Sequence, residues 1–121
     1  MSRPYRQITV ERKNDVCCAR LRQRRLDETQ IHEFAEDLLG LVSDEGCTKL
    51  VLSLGPGAPE CLYSVFLAKL ISVQKRLLER GGAMKLCDAS PDVLDVFDAC
   101  KLREHFDFAP DMKTAVADFG K

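Results

Sequence analysis

Two side chains that can carry chemistry stand at the start of one predicted helix, the segment CLYSVFLAKLISVQKRLLERGG from Cys61 to Gly82. The segment follows the turn-forming stretch GPGAPE. Ser64 lies near the N-terminus of this helix, where unpaired backbone N–H groups and a partial positive charge favour an anion or a phosphate. A serine at that place also serves as an ordinary helix cap, so both interpretations of Ser64 stand.

Cys61 is the second reactive side chain, because a helix N-terminus favours the thiolate that acts as a nucleophile. A thiol enzyme also needs a base, and the two histidines, His32 and His105, lie in unrelated segments. The pattern GPG has the glycines of a phosphate-binding loop but lacks the lysine and the hydroxyl residue of a P-loop. We therefore expect a protein that is not an enzyme and that needs no cofactor.

The six cysteines form no metal-binding pattern. No C-x-x-C pair is present, and neither histidine lies at ligand spacing from a cysteine. Most of the cysteines lie inside apolar patterns, where a free thiol behaves as a small buried hydrophobic side chain. No export signal supports a disulfide framework. The cysteines are therefore predicted to be free structural thiols: Cys17, Cys18, Cys47, Cys61, Cys87 and Cys100.

The composition is that of one ordinary globular domain. The chain has 121 residues, of which 45% are hydrophobic and 31% are charged, which is enough for a core without disulfides or metal. Its apolar runs are far shorter than a membrane-spanning helix, and the N-terminal MSRPYRQ leads directly into a strand pattern. We therefore expect a single domain over residues 1–121, no membrane partner and a cytoplasmic location.

The net charge of −1 is unevenly distributed. Residues 1–25 carry eight basic and two acidic side chains, whereas the remainder carries an excess of seven acidic ones. A basic end indicates nucleic-acid binding when aromatic stacking residues or a recognition motif accompany it, and here aromatics are scarce and no motif is present. The arginines of ARLRQRR instead fit the solvent face of a half-buried strand. No nucleic-acid partner is expected.

The elements that position Ser64 follow from the hydrophobic pattern. QITVERK and NDVCCARLR alternate around the turn pair Asn14-Asp15, which predicts a β-hairpin. A helix follows to Gly46, with Asp27 or Thr29 as its cap. KLVLSL is a central strand, and the helix that bears Ser64 comes next. The remaining predicted elements are a strand in AMKLCD, a helix in SPDVLDVFDACKL, a short edge strand in HFDFAP and a helix in DMKTAVADF.

This alternation of strands and helices predicts an α/β fold: a mixed, mostly parallel sheet of four to five strands packed with about four helices. The helix that bears Ser64 is expected to lie flat on the sheet, because its apolar residues cover almost half of its circumference. That apolar stripe comprises Phe66, Leu67, Leu70, Ile71, Val73, Leu77 and Leu78. Ser64 and Ala68 lie at its border and are predicted to face solvent.

Several stretches between Lys49 and Leu102 together resemble a STAS domain, the fold of bacterial anti-sigma factor antagonists. They are the strand KLVLSL, the serine at the helix start, the helix end RGG, and the segment SPDVLDVFDACKL. Members of the family typically carry a strand ending in Asp-Leu, a DSSG-L turn, a helix ending in RGG, an L-x-L strand and SPxVxxVFxxxxL. The resemblance covers nearly the whole chain and implies a single-domain STAS-like fold.

The alignment with the family motif places its functional serine on Ser64. Counting back from RGG, the first serine of the turn falls on Ser64 and the following leucine on Leu67. In addition, LDETQ, which contains Asp27, is similar to the Leu-Asp pair that opens the family's first helix. The chain also departs from the motif. The replacements are Tyr63 for the aspartate, Val65 for the second serine, Phe66 for the glycine and Ser53 for the strand-end aspartate.

The resemblance implies a regulatory protein-binding module. In the family, the unphosphorylated antagonist docks on an anti-sigma factor, often a serine protein kinase, and phosphorylation of the helix serine ends the docking. Ser64 is thereby the expected phosphorylation site. The docking surface that the resemblance implies comprises Asp27, Pro56, Pro59, Tyr63, Ser64, Ala68, Lys69 and Ser72.

The alternative function is a STAS-like scaffold that binds a protein partner without a phosphorylation switch. Tyr63 and Phe66 favour it, since bulky side chains beside Ser64 indicate a permanent apolar contact. The sequence leaves the oligomeric state open.

Overall fold

The computed structural model describes residues 5–23, 25–43, 46–55 and 64–119. Its strands are β1 (Ile8–Lys13), β2 (Val16–Leu21), β3 (Lys49–Ser53), β4 (Ala83–Cys87) and β5 (Asp107–Ala109). Its helices are α1 (Glu28–Ser43), α2 (Ser64–Glu79), α3 (Pro91–Ala99) and α4 (Met112–Phe119), with a 3₁₀ turn at Arg103–His105. Within the described ranges, no helix is both long and apolar enough to cross a membrane.

The five strands form one mixed sheet in the order β1-β2-β3-β4-β5. β1 and β2 pair antiparallel as the predicted hairpin, and Asn14 at the turn adopts a φ of 60°, a conformation that asparagine tolerates. β2, β3, β4 and β5 pair in parallel. The α/β fold class and the mostly parallel sheet are therefore confirmed.

Helices cover both faces of the sheet. One buried cluster joins the sheet to α1, α2 and α3, and within it the rings of Phe34 and Phe66 stack at 5.1 Å between centroids. A second cluster packs Met112 and Ala115 of α4 against Val51 and other strand residues on the opposite face. Two apolar layers thus hold the sheet between them, and Phe66 is fully buried in one of them.

α2 buries a narrower stripe than the sequence predicted. The buried residues are Phe66, Leu67, Leu70, Val73 and Leu77. Ile71 and Leu78 were expected in the stripe, yet their side chains are 39% and 60% exposed. Each follows a buried leucine by one residue and therefore lies about 100° farther around the helix.

The segment RGG ends α2 through two different properties of glycine. Gly81 has a φ of +76°, a backbone angle that residues with a Cβ rarely adopt. Its N–H donates a hydrogen bond to the carbonyl of Leu78. Gly82 passes so close to β3 that an added Cβ would lie 2.2 Å from the carbonyl oxygen of Thr48. The first glycine turns the chain and the second lets β4 join the sheet.

α3 is also shorter than predicted. Its cap is Ser90, as expected, whose hydroxyl accepts a hydrogen bond from the N–H of Val93. The helix ends at Ala99 and does not continue to Leu102, because Lys101 adopts a φ of 58° and turns the chain toward the 3₁₀ segment.

Candidate functional site

The carboxyl ends of β2, β3 and β4 lie at one edge of the sheet, because these strands run parallel. α1 follows β2, α2 follows β3 and α3 follows β4, so the N-termini of three helices are presented at that edge. This carboxyl edge is where α/β folds place their functional residues. Asp27, Ser64 and Ser90 stand at the three helix starts.

Ser64 is the first residue of the 16-residue helix α2, and its side chain is exposed. The first turn of α2 contains no acidic residue, so nothing there offsets the positive end of the helix dipole. No hydrogen bond joins the Ser64 hydroxyl to a side chain in the described ranges. The hydroxyl is therefore open to modification, and a phosphate on it would meet the favourable end of the helix.

The other predicted docking residues of α2 line the same outward face. Ala68 and Ser72 are exposed and Lys69 is half-buried. The Ser72 hydroxyl donates to the carbonyl of Ala68 at 3.1 Å, which uses its proton within the helix. Val65, which the sequence singled out only as a departure from the motif, is 38% exposed next to Ser64.

Four residues of the sequence-based hypotheses lie outside the described residues: Pro56, Pro59, Cys61 and Tyr63. Phe66, the second bulky residue of the scaffold interpretation, is fully buried against α1. It therefore cannot form the apolar contact with a partner for which the sequence considered it, and it belongs to the core.

Asp27 caps α1 by a reciprocal pair of hydrogen bonds. Its carboxylate accepts from the N–H of Gln30 at 2.8 Å, and the Gln30 side chain accepts from the N–H of Asp27 at 2.9 Å. This is a capping box, so Asp27 and not Thr29 is the cap. The side chain is exposed at the carboxyl edge, which leaves its predicted role in docking open to test.

A polar cluster that sequence reasoning missed lies between β3 and β4 at the same edge. The hydroxyl of the fully buried Ser53 donates to the Asp88 carboxylate at 2.6 Å, and it accepts from the N–H of Gly55 at 3.3 Å. Nη1 of Arg20 lies 3.9 Å from the same carboxylate. Asp88 thus supplies a carboxylate beside Ser53, where the family motif carries an aspartate in the strand itself. A charged residue directly after an apolar strand was the available signal.

The described cysteines show no arrangement for nucleophilic catalysis. Cys17, Cys18, Cys47, Cys87 and Cys100 are free thiols. Burial and the neighbouring Asp88 carboxylate raise the pKa of Cys87 to about 12, so this thiol stays protonated. A hydrogen bond from the buried Cys47 thiol lowers the pKa of Cys17, but this pair lies near the amino end of β2, at the sheet edge opposite Ser64.

The residues that the structure describes form neither a histidine-based catalytic site nor a metal-binding site. His32 on α1 and His105 in the 3₁₀ turn are both exposed. Within the described ranges, no three His, Cys, Asp or Glu residues are grouped so as to hold a metal ion. The arrangement at the carboxyl edge therefore suits binding and modification of an exposed hydroxyl.

Comparisons with known proteins agree with this architecture. A family model described as the STAS domain matches residues 7–115. No curated protein sequence matches the chain. An anti-sigma-factor antagonist (STAS) domain protein from Planctomyces limnophilus is 21% identical, with a TM-score of 0.81, over 94% of this chain and 98% of the other.

Two further solved structures share the fold. An anti-sigma factor antagonist from Mycobacterium paratuberculosis is 20% identical, with a TM-score of 0.80, over the full length of both chains. The Bacillus cell fate determinant SpoIIAA in its phosphorylated form is 14% identical, with a TM-score of 0.69, over 94% of this chain and 99% of the other. At these identities the likeness concerns the fold.

Proposed function

The chain belongs to the STAS domain family, and we propose that it acts as an anti-sigma factor antagonist that docks on an anti-sigma factor or serine protein kinase under control of phosphorylation at Ser64. The observation that carries the proposal is the exposed Ser64 hydroxyl at the N-terminus of α2. It combines access for a kinase with a helix end that accepts the added charge.

Phosphorylation of Ser64 would leave the domain folded and change its surface. A phosphoserine adds about −1.5 to −2 charges near neutral pH. At a helix N-terminus a negative charge contributes about 0.3–1 kcal/mol of stabilisation. A partner packed over Ser64 would either repel this charge or have to strip water from it. The phosphate therefore lowers the affinity of the complex without destabilising the fold.

The surroundings of Ser64 suit a protein partner. Val65, Ala68 and Ser72 are exposed on the outward side of α2, which gives a mixed apolar and polar surface of the kind found at protein interfaces. His32 lies on α1 and His105 in the 3₁₀ turn after α3, and neither lies on α2 with Ser64. The proposal therefore assigns the chain a binding role and no catalytic role.

The test compares Ser64→Ala and Ser64→Asp for binding to purified serine kinases of the anti-sigma type from the source genome, taken one at a time. We expect Ser64→Ala to bind as tightly as the unmodified chain. Ser64→Asp should lose tenfold or more in affinity, about 1.4 kcal/mol. Thr9→Asp is the matched control, because Thr9 is exposed on β1 and alternates with the buried Ile8, so it faces away from α1 and α2.

The outcomes separate the two functions that the sequence left open. If Ser64→Asp binds as tightly as the unmodified chain and no kinase modifies Ser64, the switch is contradicted and a scaffold without a switch is the remaining function. If no kinase binds any variant, docking itself is contradicted. A loss of binding in Thr9→Asp equal to that in Ser64→Asp would show an unspecific charge effect.

A further inference from the structure

The outward face of α2 concentrates positive charge in a chain that is slightly acidic overall. Between Ser64 and Arg80 the chain carries Lys69, Lys75, Arg76 and Arg80 against the single acidic residue Glu79. This segment has a net charge of +3, whereas the whole chain has −1. Lys75, Arg76 and Arg80 are exposed and Lys69 is half-buried.

These four cations have no carboxylate partner within the described part of the chain. Elsewhere cations do pair: Lys49 lies 2.9 Å from Asp15 and Arg103 lies 3.1 Å from Asp98. The α2 cations take part in no such ion pair among the described residues. Their charges are not neutralised by ion pairs with the described residues and are available to a binding partner.

Exposed apolar side chains flank these cations. Val65, Ile71 and Leu78 are 38%, 39% and 60% exposed, and they are the large hydrophobic residues that are exposed in the described ranges. All three lie on α2, with Ile71 and Leu78 about 20° apart and Val65 about 120° from Ile71 around the helix. Three unpaired cations and the exposed apolar groups therefore lie on one helix, which also begins with Ser64.

We propose that the outward face of α2, together with the adjacent Arg80, binds an acidic protein surface on the partner. The inference rests on the proposed function and adds the chemistry of the partner. Complementary charges across an interface accelerate association and select the partner, and the exposed apolar side chains beside the cations add apolar contact area.

A protein surface fits this face better than a membrane or a nucleic acid does. An amphipathic helix that binds membranes inserts its broad apolar face, but that face of α2 is buried against the sheet. Binding of single-stranded nucleic acid relies on aromatic stacking, and α2 has no aromatic residue on its outward face, since Phe66 is buried. An acidic protein surface satisfies both the cations and the scattered apolar groups.

The charge of this face also explains how Ser64 would control the complex. A phosphate of about −1.5 to −2 charges offsets most or all of the net charge of +2 that Lys69, Lys75, Arg76 and Glu79 give α2. Lys69 lies five residues from Ser64, about 7.5 Å along the helix axis and about 140° around it, so the two charges are farther apart than the screening distance of about 8 Å at physiological salt. The phosphate therefore acts mainly by repelling the acidic partner surface at the start of the helix.

The experiment measures how fast two double variants associate with the kinase that the Ser64 test uses. The first variant is Lys75→Glu/Arg76→Glu on α2, and the second, the control, is Lys101→Glu/Lys113→Glu. Both double variants change the net charge by the same amount, and Lys101 and Lys113 are exposed on other elements. We expect the α2 variant to associate about tenfold more slowly at low salt, with the difference shrinking at high salt, as electrostatic steering requires. The control should change less than twofold.

Leu78→Ser tests the apolar part of the surface. Because Leu78 is largely exposed, this variant should unfold at the same temperature as the unmodified chain. We expect faster dissociation from the kinase, by about fivefold, with little change in the association rate. An unchanged dissociation rate would remove Leu78 from the proposed surface.

The contradicting outcomes are distinct from those of the proposed function. If the kinase binds and Ser64→Asp releases it while both double variants associate normally, the acidic-partner inference is wrong and the proposed function stands. Equal slowing of the two double variants also overturns it. A third outcome is that phosphatidylserine vesicles bind the unmodified chain but not Lys75→Glu/Arg76→Glu, while the association with the kinase is the same for both. In that case the face binds membranes and not a protein. If no kinase binds, both proposals fail.

Discussion

The hydrogen bond between Ser53 and Asp88 connects two neighbouring strands at the carboxyl edge of the sheet. Ser53 is fully buried at the end of β3, and its short hydrogen bond to Asp88 links β3 to the residue that follows β4. Asp88 adopts a φ of 60°, a left-handed conformation that aspartate, like asparagine, tolerates better than most residues with a Cβ. The contact stabilises this backbone and holds Gly55, from which the chain continues toward Ser64.

A double-mutant cycle of Ser53→Ala and Asp88→Ala should reveal this coupling. Because Asp88→Ala leaves the buried Ser53 hydroxyl only the longer contact to the Gly55 carbonyl, at 3.4 Å, we expect the single change to cost about 1–3 kcal/mol in the free energy of unfolding. The coupling energy should be about 1 kcal/mol or more, measured by urea denaturation. Backbone strain at position 88 is the same in both Asp88→Ala variants and cancels in the cycle. Additive effects would contradict the account.

The two glycines after α2 differ in why they are needed, and substitution distinguishes them. Gly82→Ala places a Cβ 2.2 Å from the Thr48 carbonyl oxygen, which forces the backbones of β3 and β4 apart and should cost about 2 kcal/mol or more. The Cβ added by Gly81→Ala has no atom within 4 Å. This variant should lose only about 1 kcal/mol in the free energy of unfolding, because alanine disfavours the positive φ. Urea denaturation of both variants measures this order, and the reverse order would disprove it.

At the scale of elements, α1 and α2 present their N-termini side by side but use them differently. The N-terminus of α1 is closed by the capping box of Asp27 and Gln30. The N-terminus of α2 is occupied by the exposed Ser64 with no acidic residue in its first turn. The capping box stabilises the start of α1, whereas α2 starts at an exposed hydroxyl where an added negative charge would meet the positive end of the helix dipole.

Asp27 allows the capping and docking roles to be separated. Asp27→Ala should cost about 1 kcal/mol in stability through loss of the cap, whereas Asp27→Asn keeps an equally good cap and should unfold as the unmodified chain does. We expect Asp27→Asn to bind the kinase about fivefold more weakly, about 1 kcal/mol. Unchanged affinity with unchanged stability would assign Asp27 to the cap alone.

The order of the elements was predictable from the sequence because periodicity is a local signal. The hairpin, the buried strand KLVLSL and the caps at Asp27 and Ser90 all follow from neighbouring residues. The width of the buried stripe of α2 was not predictable, since it depends on how the helix lies on the sheet. Ile71 and Leu78 are therefore exposed where the sequence pattern indicated burial.

The candidate site was predictable only in part for the same reason. The spacing from RGG placed Ser64 at a helix start, and the fold confirms that position. The contact between Ser53 and Asp88 joins residues 35 positions apart, and no local pattern links them. Phe66 was predicted in the apolar stripe of α2 and also as a contact for a partner. Its burial against Phe34 of α1 confirms the first prediction and excludes the second.

At the scale of the whole molecule, the fold separates a buried core from an exposed charged surface. Two apolar clusters hold the sheet, and α2 with the adjacent Arg80 carries a net charge of +3, the exposed apolar groups and Ser64. Ser64 belongs to neither cluster, so a charge added to it stays outside the core. The account thus predicts that affinity responds to Ser64 while stability does not.

The most direct test is the affinity of the anti-sigma-type kinase for the chain carrying phosphoserine at position 64, measured by calorimetric titration beside the unmodified chain. We expect the phosphorylated chain to bind at least tenfold more weakly, about 1.4 kcal/mol, and to unfold at the same or a slightly higher temperature. Equal affinity of the two forms for the kinase would contradict the central claim that Ser64 controls docking.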